Sequence, residues 1–117
     1  MNALIKVLYY TSLRGEQVVK NEIAKLSKND ISKVMKIVSH LEMYGERLAG
    51  DDAKHIRGKI WELKADNTRA LYFTYVKNSF VLLRVFMKST WKTPEREIKL
   101  AERRRADYLE RFPKELL

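Results

Sequence analysis

The stretch VLLRVFMKSTWKTP, residues 81–94, predicts a sheet strand that is followed directly by a helix. Its first half is apolar and rich in residues that favour strands, and Thr93-Pro94 is typical of a helix start. Arg84 interrupts the apolar run, and Lys88 and Lys92 follow where the run ends. Because a charge within a strand must be paired, solvated or bound to a ligand, this strand is the first candidate for a functional site.

Two further strands precede this one, separated by short polar turns. Residues 59–65 (KIWELKA) alternate between apolar and polar side chains, and residues 69–77 (RALYFTYVK) have strand composition. Asp66-Asn67 and Asn78-Ser79 supply residues that favour tight turns. Loops this short join antiparallel neighbours, so the three strands are predicted to form a meander.

Apolar residues at helical spacing predict three helices in the rest of the chain. The first covers about residues 15–26, and the second is capped by Asp30 and ends near Gly45. The third has Pro94 in its first turn and Thr93 as its cap, and it runs to about Phe112. Residues 3–10 add an N-terminal strand.

This order of elements predicts an α+β fold, with residues 1–117 forming a single domain. The expected architecture is a mainly antiparallel four-stranded sheet. An N-terminal helical hairpin packs on one of its faces, and a C-terminal helix completes the domain.

The composition limits the possible environments of the protein. The sequence contains no cysteine, which excludes a disulfide framework and thiolate metal sites. The N-terminal MNALIKVLYY has an apolar stretch of only a few residues and no end that resembles a cleavage site. It therefore does not fit a signal peptide or a membrane span. We therefore predict a cytoplasmic protein with no membrane partner.

The positive charge is concentrated in the middle of the chain. Residues 54–92 carry 9 basic and 2 acidic side chains, and so hold +7 of the net charge of +9. Such a local field attracts polyanions and accelerates their encounter with the protein. Nucleic acid or another anionic partner is the expected ligand of this region.

Strand alternation predicts where these charges lie. Val81, Leu83, Val85 and Met87 would share the face that the helical hairpin covers. Glu62, Lys64, Arg84 and Lys88 would line the opposite, partly exposed face. The alternative reading, an ordinary solvated face of an antiparallel sheet, fits the pattern equally well.

The chemistry available to such a face is restricted. The basic region has no carboxylate group or helically spaced histidine pair that would hold a metal, and the chain contains no nucleotide-binding or nucleophile motif. RNA cleavage by its own 2′-OH needs only alignment, two proton transfers and charge stabilisation. His55, in the predicted loop KHIRG, could transfer a proton near neutral pH or simply be solvated.

The segment from Trp61 to Leu109 resembles a known family. Its motifs are WELK, RALYF, FVLLRVFMK, the Thr93-Pro94 pair and the helix that begins EREI. They are similar to those of the Gp49-like branch of the HigB toxins, in the RelE superfamily. The resemblance implies a toxin that cleaves messenger RNA in the ribosomal decoding site without a metal or other cofactor. It also implies a helix-turn-helix, HigA-like antitoxin partner, through which operator DNA is bound.

The resemblance also implies roles for individual residues. Arg69 and Arg84 would hold the scissile phosphate, and Lys88 would stabilise the phosphorane or protonate the leaving oxygen. Lys64 and Lys92 would bind flanking RNA. Trp91 would stack on a base, and Tyr72 would stack on a base or position a proton. Arg84 occupies the position where the family tends to have a histidine, and an arginine does not act as a neutral base.

Structural roles that involve no ligand remain possible explanations for these residues. Tyr72 fits a core aromatic as well as a base-stacking residue, and Trp91 fits a hydrophobic anchor for the following helix. Two other functions also fit: a non-catalytic module that binds nucleic acid, and a module that docks an acidic antitoxin segment. Arg105 is also unexplained, because it falls on the apolar arc of the C-terminal helix.

Overall fold

A computed structural model describes residues 4–48, 50 and 52–114. The strands are β1 (Lys6–Tyr9), β2 (Ala53–Arg57), β3 (Ile60–Ala65), β4 (Thr68–Val76) and β5 (Ser79–Met87), and the helices are α1 (Val18–Ala24), α2 (Lys28–Tyr44) and α3 (Glu95–Arg111). The strands form one five-stranded sheet in the order β1-β5-β4-β3-β2. The predicted α+β fold is confirmed.

The meander of β3, β4 and β5 forms as the turn residues predict. β3 pairs with β4, and β4 with β5, both antiparallel. Asp66 and Asn78 lie in the two connecting turns with φ of 58° and 61°. Aspartate and asparagine tolerate this left-handed conformation better than most residues do, which explains their places at these turns.

The sheet has one strand more than the sequence predicts. Residues 53–57, read as part of a loop around His55, form β2 and pair antiparallel with β3. The turn between them contains Gly58 at φ 55°, a conformation that glycine adopts at no steric cost. At the opposite edge, β1 pairs parallel with β5, so the sheet is mixed.

A β-bulge in β5 changes which residues share a face. Leu71 is opposite Arg84 whereas Tyr72 is opposite Leu82, so Leu83 is an extra residue. Because alternation reverses at a bulge, Val81 lies on the face of Arg84 and not on that of Val85. The predicted grouping of Val81 with Val85 was therefore wrong.

Helices cover both faces of the sheet. Phe73, opposite Val81, packs edge-on against Tyr108 of α3, with ring centroids 6.1 Å apart. Tyr9, which pairs with Leu82 on the other face, lines a pocket with Met35 of α2. The hairpin of α1 and α2 therefore packs opposite α3, and Arg84 lies on a face that α3 covers.

Two predicted helix caps are replaced by other residues. Ser27, and not Asp30, is the N-cap of α2, because its hydroxyl accepts a hydrogen bond from the Asp30 amide at 3.1 Å. Pro94 is the N-cap residue of α3 and makes no side-chain cap, while Thr93 bonds elsewhere. Gly45 ends α2 as predicted. Among the residues that the structure describes, no helix has the length and apolar character needed to cross a membrane.

Candidate functional site

Arg84 is held by carboxylates from two helices. Its Nη1 lies 2.8 Å from Oε2 of Glu22 in α1, and its Nη2 lies 3.1 Å from Oε2 of Glu97 in α3. Its side chain is 25% exposed. Burial alone would lower the pKa of Arg84, but the two carboxylates offset this effect and raise it. The arginine is therefore already neutralised by protein groups.

Glu22 connects this arginine to the backbone of the sheet. Its Oε1 accepts a hydrogen bond from the Val85 amide at 3.0 Å, and its Oε2 accepts one from Arg104 Nη1 at 2.9 Å. β1 pairs with β5 only as far as Leu82. The carboxylate of α1 thus satisfies a strand amide that β1 does not reach.

Arg69 is also occupied by protein groups. Its Nη1 donates to the carbonyl oxygens of Asp66 and Thr68, the second at 3.0 Å. Its Nε lies 3.5 Å from Oε1 of Glu62, which is only 1% exposed. Glu62 was predicted to lie on an open surface, and the structure instead buries it.

Lys88 lies at the centre of a group of cations, named here the basic cluster: Lys54, Lys64, Arg69 and Lys88. Burial lowers the pKa of Lys88, the nearby Glu62 partly offsets this, and Arg69, Lys54 and Lys64 lower it further. The Lys88 amide bonds to the Asn67 carbonyl at 2.7 Å, which fixes the end of β5 beside the β3–β4 turn. The cluster can therefore bind an anion, and its central ammonium group gives up a proton more readily than that of a solvated lysine.

Lys88 also opens into a pocket of about 240 Å³, named here the basic pocket. Its lining includes cationic, imidazole and aromatic side chains: Lys54, His55, Ile56, Lys88, Trp91, Lys92, Thr93 and Ile98. The Trp91 ring is 89% exposed, so it does not anchor α3 by burial. A pocket of this composition suits a phosphate and an adjoining base.

A buried hydrogen bond positions the loop that carries Trp91 and Lys92. The Thr93 hydroxyl donates to Oε2 of Glu62, and Thr93 is itself buried. This contact ties the start of α3 to the middle of β3. It takes the place of the helix cap that the sequence predicts for Thr93.

His55 is oriented by two contacts. Its Nε2 lies 2.8 Å from the Gly58 carbonyl oxygen, and its ring packs against Trp61 with centroids 5.3 Å apart. A carbonyl oxygen only accepts, so Nε2 donates in this contact and Nδ1 is the ring nitrogen left for another partner. His55 is therefore a candidate proton acceptor at the edge of the basic pocket.

Tyr72 does not join these residues. It lies on the face of the sheet opposite Arg84 and is 4% exposed, with its ring 6.0 Å from that of Phe80. Burial raises the pKa of Tyr72 to about 12. This position fits the alternative in which Tyr72 is a core aromatic. Tyr72 also lines a separate pocket together with Trp61.

Sequence reasoning missed Lys54 and placed His55 in a loop. The signal was present: Ala53 and Ile56 are apolar, and Gly58 precedes a clear strand. Two short runs around a glycine are typical of a hairpin. Among the described residues, no group of acidic, histidine or cysteine side chains is arranged to hold a metal.

One family of known proteins matches most of the chain. The profile of a family described as "Phage derived protein Gp49-like" matches residues 21–106. The chain belongs to this Gp49-like family. No curated protein matches the Gp49-like chain.

Solved structures share the fold of the Gp49-like chain. A chain of the toxin–antitoxin complex RelBE2 from Mycobacterium tuberculosis has 18% identity and a TM-score of 0.56, with 74% of this chain and 100% of that chain covered. The isolated E. coli RelE toxin has 12% identity and a TM-score of 0.54, covering 86% and 98%. A chain of the RelB–RelE complex from Methanococcus jannaschii has 11% identity and a TM-score of 0.53, covering 91% and 99%. The Gp49-like chain therefore has the RelE fold.

Proposed function

We propose that the Gp49-like chain is the toxin of a type II toxin–antitoxin pair and a metal-independent, ribosome-dependent endoribonuclease. The family and the RelE fold support the toxin assignment. The observation that carries the enzymatic part is the lowered pKa of Lys88 among the cations of the basic cluster. An amine in such a place binds phosphate and donates a proton more readily than a solvated lysine does.

The proposed reaction uses the RNA as its own nucleophile. The 2′ oxygen attacks the adjacent phosphorus as a base removes its proton, and the bond from phosphorus to the 5′ oxygen breaks as an acid protonates that oxygen. The products are a 2′,3′-cyclic phosphate and a free 5′-OH. The phosphorane between them carries extra negative charge, which cations stabilise more than they stabilise the substrate.

Each role falls to a residue at the basic pocket or the basic cluster. Lys88 donates to the leaving 5′ oxygen or stabilises the phosphorane, and His55 accepts the 2′ proton. Lys54, Lys64 and Lys92 hold the flanking phosphates, and Trp91 stacks on a base. Arg69 contributes positive charge beside Lys88 while its guanidinium binds the β3–β4 turn.

Arg84 contributes in this proposal by holding α1 and α3 on the sheet. Its guanidinium has two carboxylate partners, so a phosphate would have to displace one of them. An arginine in this position cannot replace a histidine in proton transfer, and His55 is the residue assigned that step.

Induced expression in a bacterium with mapping of messenger RNA ends tests the proposal. The wild-type chain should arrest growth and produce new ends within translated codons, and Lys88→Ala should abolish both. Lys36→Gln, an exposed lysine of α2, is the matched control and should retain activity. Intact messages from well-expressed wild-type protein would contradict the enzymatic proposal.

A non-catalytic module is the second candidate, and the neutralised Arg84 favours it. In that case the basic cluster binds nucleic acid or docks an acidic segment of a HigA-like, helix-turn-helix antitoxin. Operator DNA would be reached only through that antitoxin. Intact messages combined with capture of the antitoxin, abolished by Lys88→Ala, would support this candidate.

A further inference from the structure

Arg105 of α3 has an unsatisfied group inside the protein. Its guanidinium lies over the Phe73 ring, with Cζ 5.2 Å from the ring centroid. Its Nε is buried and has no hydrogen-bond partner among the described residues. Buried donors are almost always paired in native proteins. Nε of Arg69 is likewise buried without a hydrogen bond in the described part of the chain, so the case for a ligand at Arg105 depends on the pocket that this side chain lines.

Arg105 lines a pocket of about 440 Å³ at the other end of the β4 strand from the basic cluster. This Arg105 pocket contains four cations and one carboxylate: Lys59, Lys77, Arg105, Lys114 and Glu46. Among the described residues, none of these four cations forms a salt bridge. The pocket therefore has an excess of positive charge, which its one carboxylate, Glu46, offsets only in part.

A second pocket adjoins this one and has a different character. It measures about 310 Å³ and is lined by aromatic and aliphatic side chains together with two polar ones: Glu46, Leu48, Trp61, Tyr72, Thr74 and Phe80. Glu46, Trp61 and Thr74 line both pockets. Trp61 is 36% exposed, so its indole is available between the apolar and the cationic space.

We infer that these two pockets together bind one nucleotide of single-stranded RNA. The base lies against Trp61 in the apolar pocket, and the phosphate lies in the Arg105 pocket beside Lys59 and Lys77. Exposed aromatic rings next to cations are the usual means of binding unpaired bases and their phosphates. An acidic peptide would use the cations alone and would leave the aromatic pocket unexplained.

This site is separate from the proposed cleavage site and deepens the proposed function by giving the RNA a second contact. Tyr72 and Thr74 are in β4 on the hairpin face, whereas Arg69 is on the α3 face near the beginning of the same strand. Arg105 lies over Phe73 on the α3 face, so the RNA must pass around the edge of the sheet to place its base in the apolar pocket on the hairpin face. At that edge Trp61, which lines the apolar pocket, is in contact with His55, which lines the basic pocket.

Tryptophan fluorescence offers a direct test. Trp61 and Trp91 are the two tryptophans of the chain, so Trp91→Phe leaves Trp61 as the sole indole emitter. Adding Lys88→Ala to Trp91→Phe disables the proposed cleavage site and leaves the second site intact. The probe is a short single-stranded 2′-O-methyl RNA, which lacks the 2′ nucleophile and is not cleaved.

In this background we expect saturable quenching of Trp61 by the RNA. Arg105→Gln should weaken binding about tenfold, because a charge-assisted hydrogen bond to the phosphate is lost. Lys59→Gln with Lys77→Gln should also weaken binding and should reduce the slope of log affinity against log salt by about 1.4. Both lysines are exposed, so this double variant tests the site even if Arg105→Gln fails to fold.

Absence of quenching, or equal affinity in these variants and in a Lys36→Gln control, would overturn the inference. Equal quenching by polyglutamate would also overturn it, because that polymer has charge but no base. The cleavage assay with wild-type protein is scored separately, so failure of the proposed ribonuclease is distinguished from failure of this site.

Discussion

Nη1 of Arg84 lies 2.8 Å from Oε2 of Glu22, which joins the charged residue of a central strand to the first helix of the chain. The same carboxylate binds Arg104 and the Val85 amide, so three elements meet at one side chain. A cation that the sequence presents as a ligand-binding residue is, in the folded protein, part of a partly buried ion network.

Loss of either partner should destabilise the fold. Arg84→Ala leaves the buried Glu97 without its ion-pair partner, and Glu22→Ala leaves Arg104 without one. We expect each change to lower the free energy of unfolding by about 3 kcal/mol. Urea unfolding measures this change. Lys33→Ala removes the more exposed pair with Asp66 and should have a much smaller effect on the free energy of unfolding. Equal, small effects at Arg84 and Lys33 would contradict the structural role.

Cleavage should depend on the protonation of Lys88. The pKa of Lys88 is lowered by burial and by neighbouring cations, so an activity that needs its ammonium form is lost as pH rises through that lowered value. Lys64→Gln removes one of those cations and should raise the pKa, which moves the alkaline limb of the rate profile to higher pH. If the alkaline limb stays at the same pH in Lys64→Gln, a group other than Lys88 controls the loss of activity.

Cleavage should also depend on His55. His55→Ala should reduce the rate constant at saturating RNA by about 100-fold or more, since general base catalysis contributes at least that much. His55→Gln keeps a polar side chain of similar reach and should not restore the rate. Full activity of either variant would remove His55 from the mechanism.

The hydrogen bond from Thr93 to Glu62 should contribute to stability. Thr93→Val keeps the shape of the side chain but leaves the buried carboxylate without this donor, and the expected loss is about 1–2 kcal/mol in the free energy of unfolding. Thr93→Ser keeps the hydroxyl and should recover most of that loss. Equal destabilisation by valine and serine would point to packing of the methyl group instead.

Asp107 should make stability depend on pH at the acidic end. Its pKa is lowered by the hydrogen bond from Tyr10, which outweighs the opposing effect of burial, and by Arg111. A lowered carboxyl pKa gives stability that is present above the unfolded value of about 4 and is lost as pH falls through the folded value. Wild type should therefore be more stable than Asp107→Asn at neutral pH, and the two should converge in acid. Glu110→Gln, at an exposed position of α3, is the control.

Local chemistry allowed most of the fold to be predicted from the sequence. The turns at Asp66 and Asn78, the end of α2 at Gly45 and the start of α3 at Pro94 depend on residues a few positions apart. Three antiparallel strands follow from two short turns. The composition of the middle region likewise indicated a basic surface before any contact was known.

The tertiary structure alone decided which charges remain available to a ligand. A bulge at Leu83 reverses the alternation of β5, and α3 then covers Arg84 while Lys88 lies beyond the covered part. β2 pairs with β3 through the short turn at Gly58, but only the order of strands in the sheet brings its Lys54 and His55 to the pocket that Lys88 lines. The sequence shows which charged residues exist, but ion pairing depends on distances across the fold. Only folding brings Glu22 and Glu97 to Arg84 and leaves Lys88 among cations.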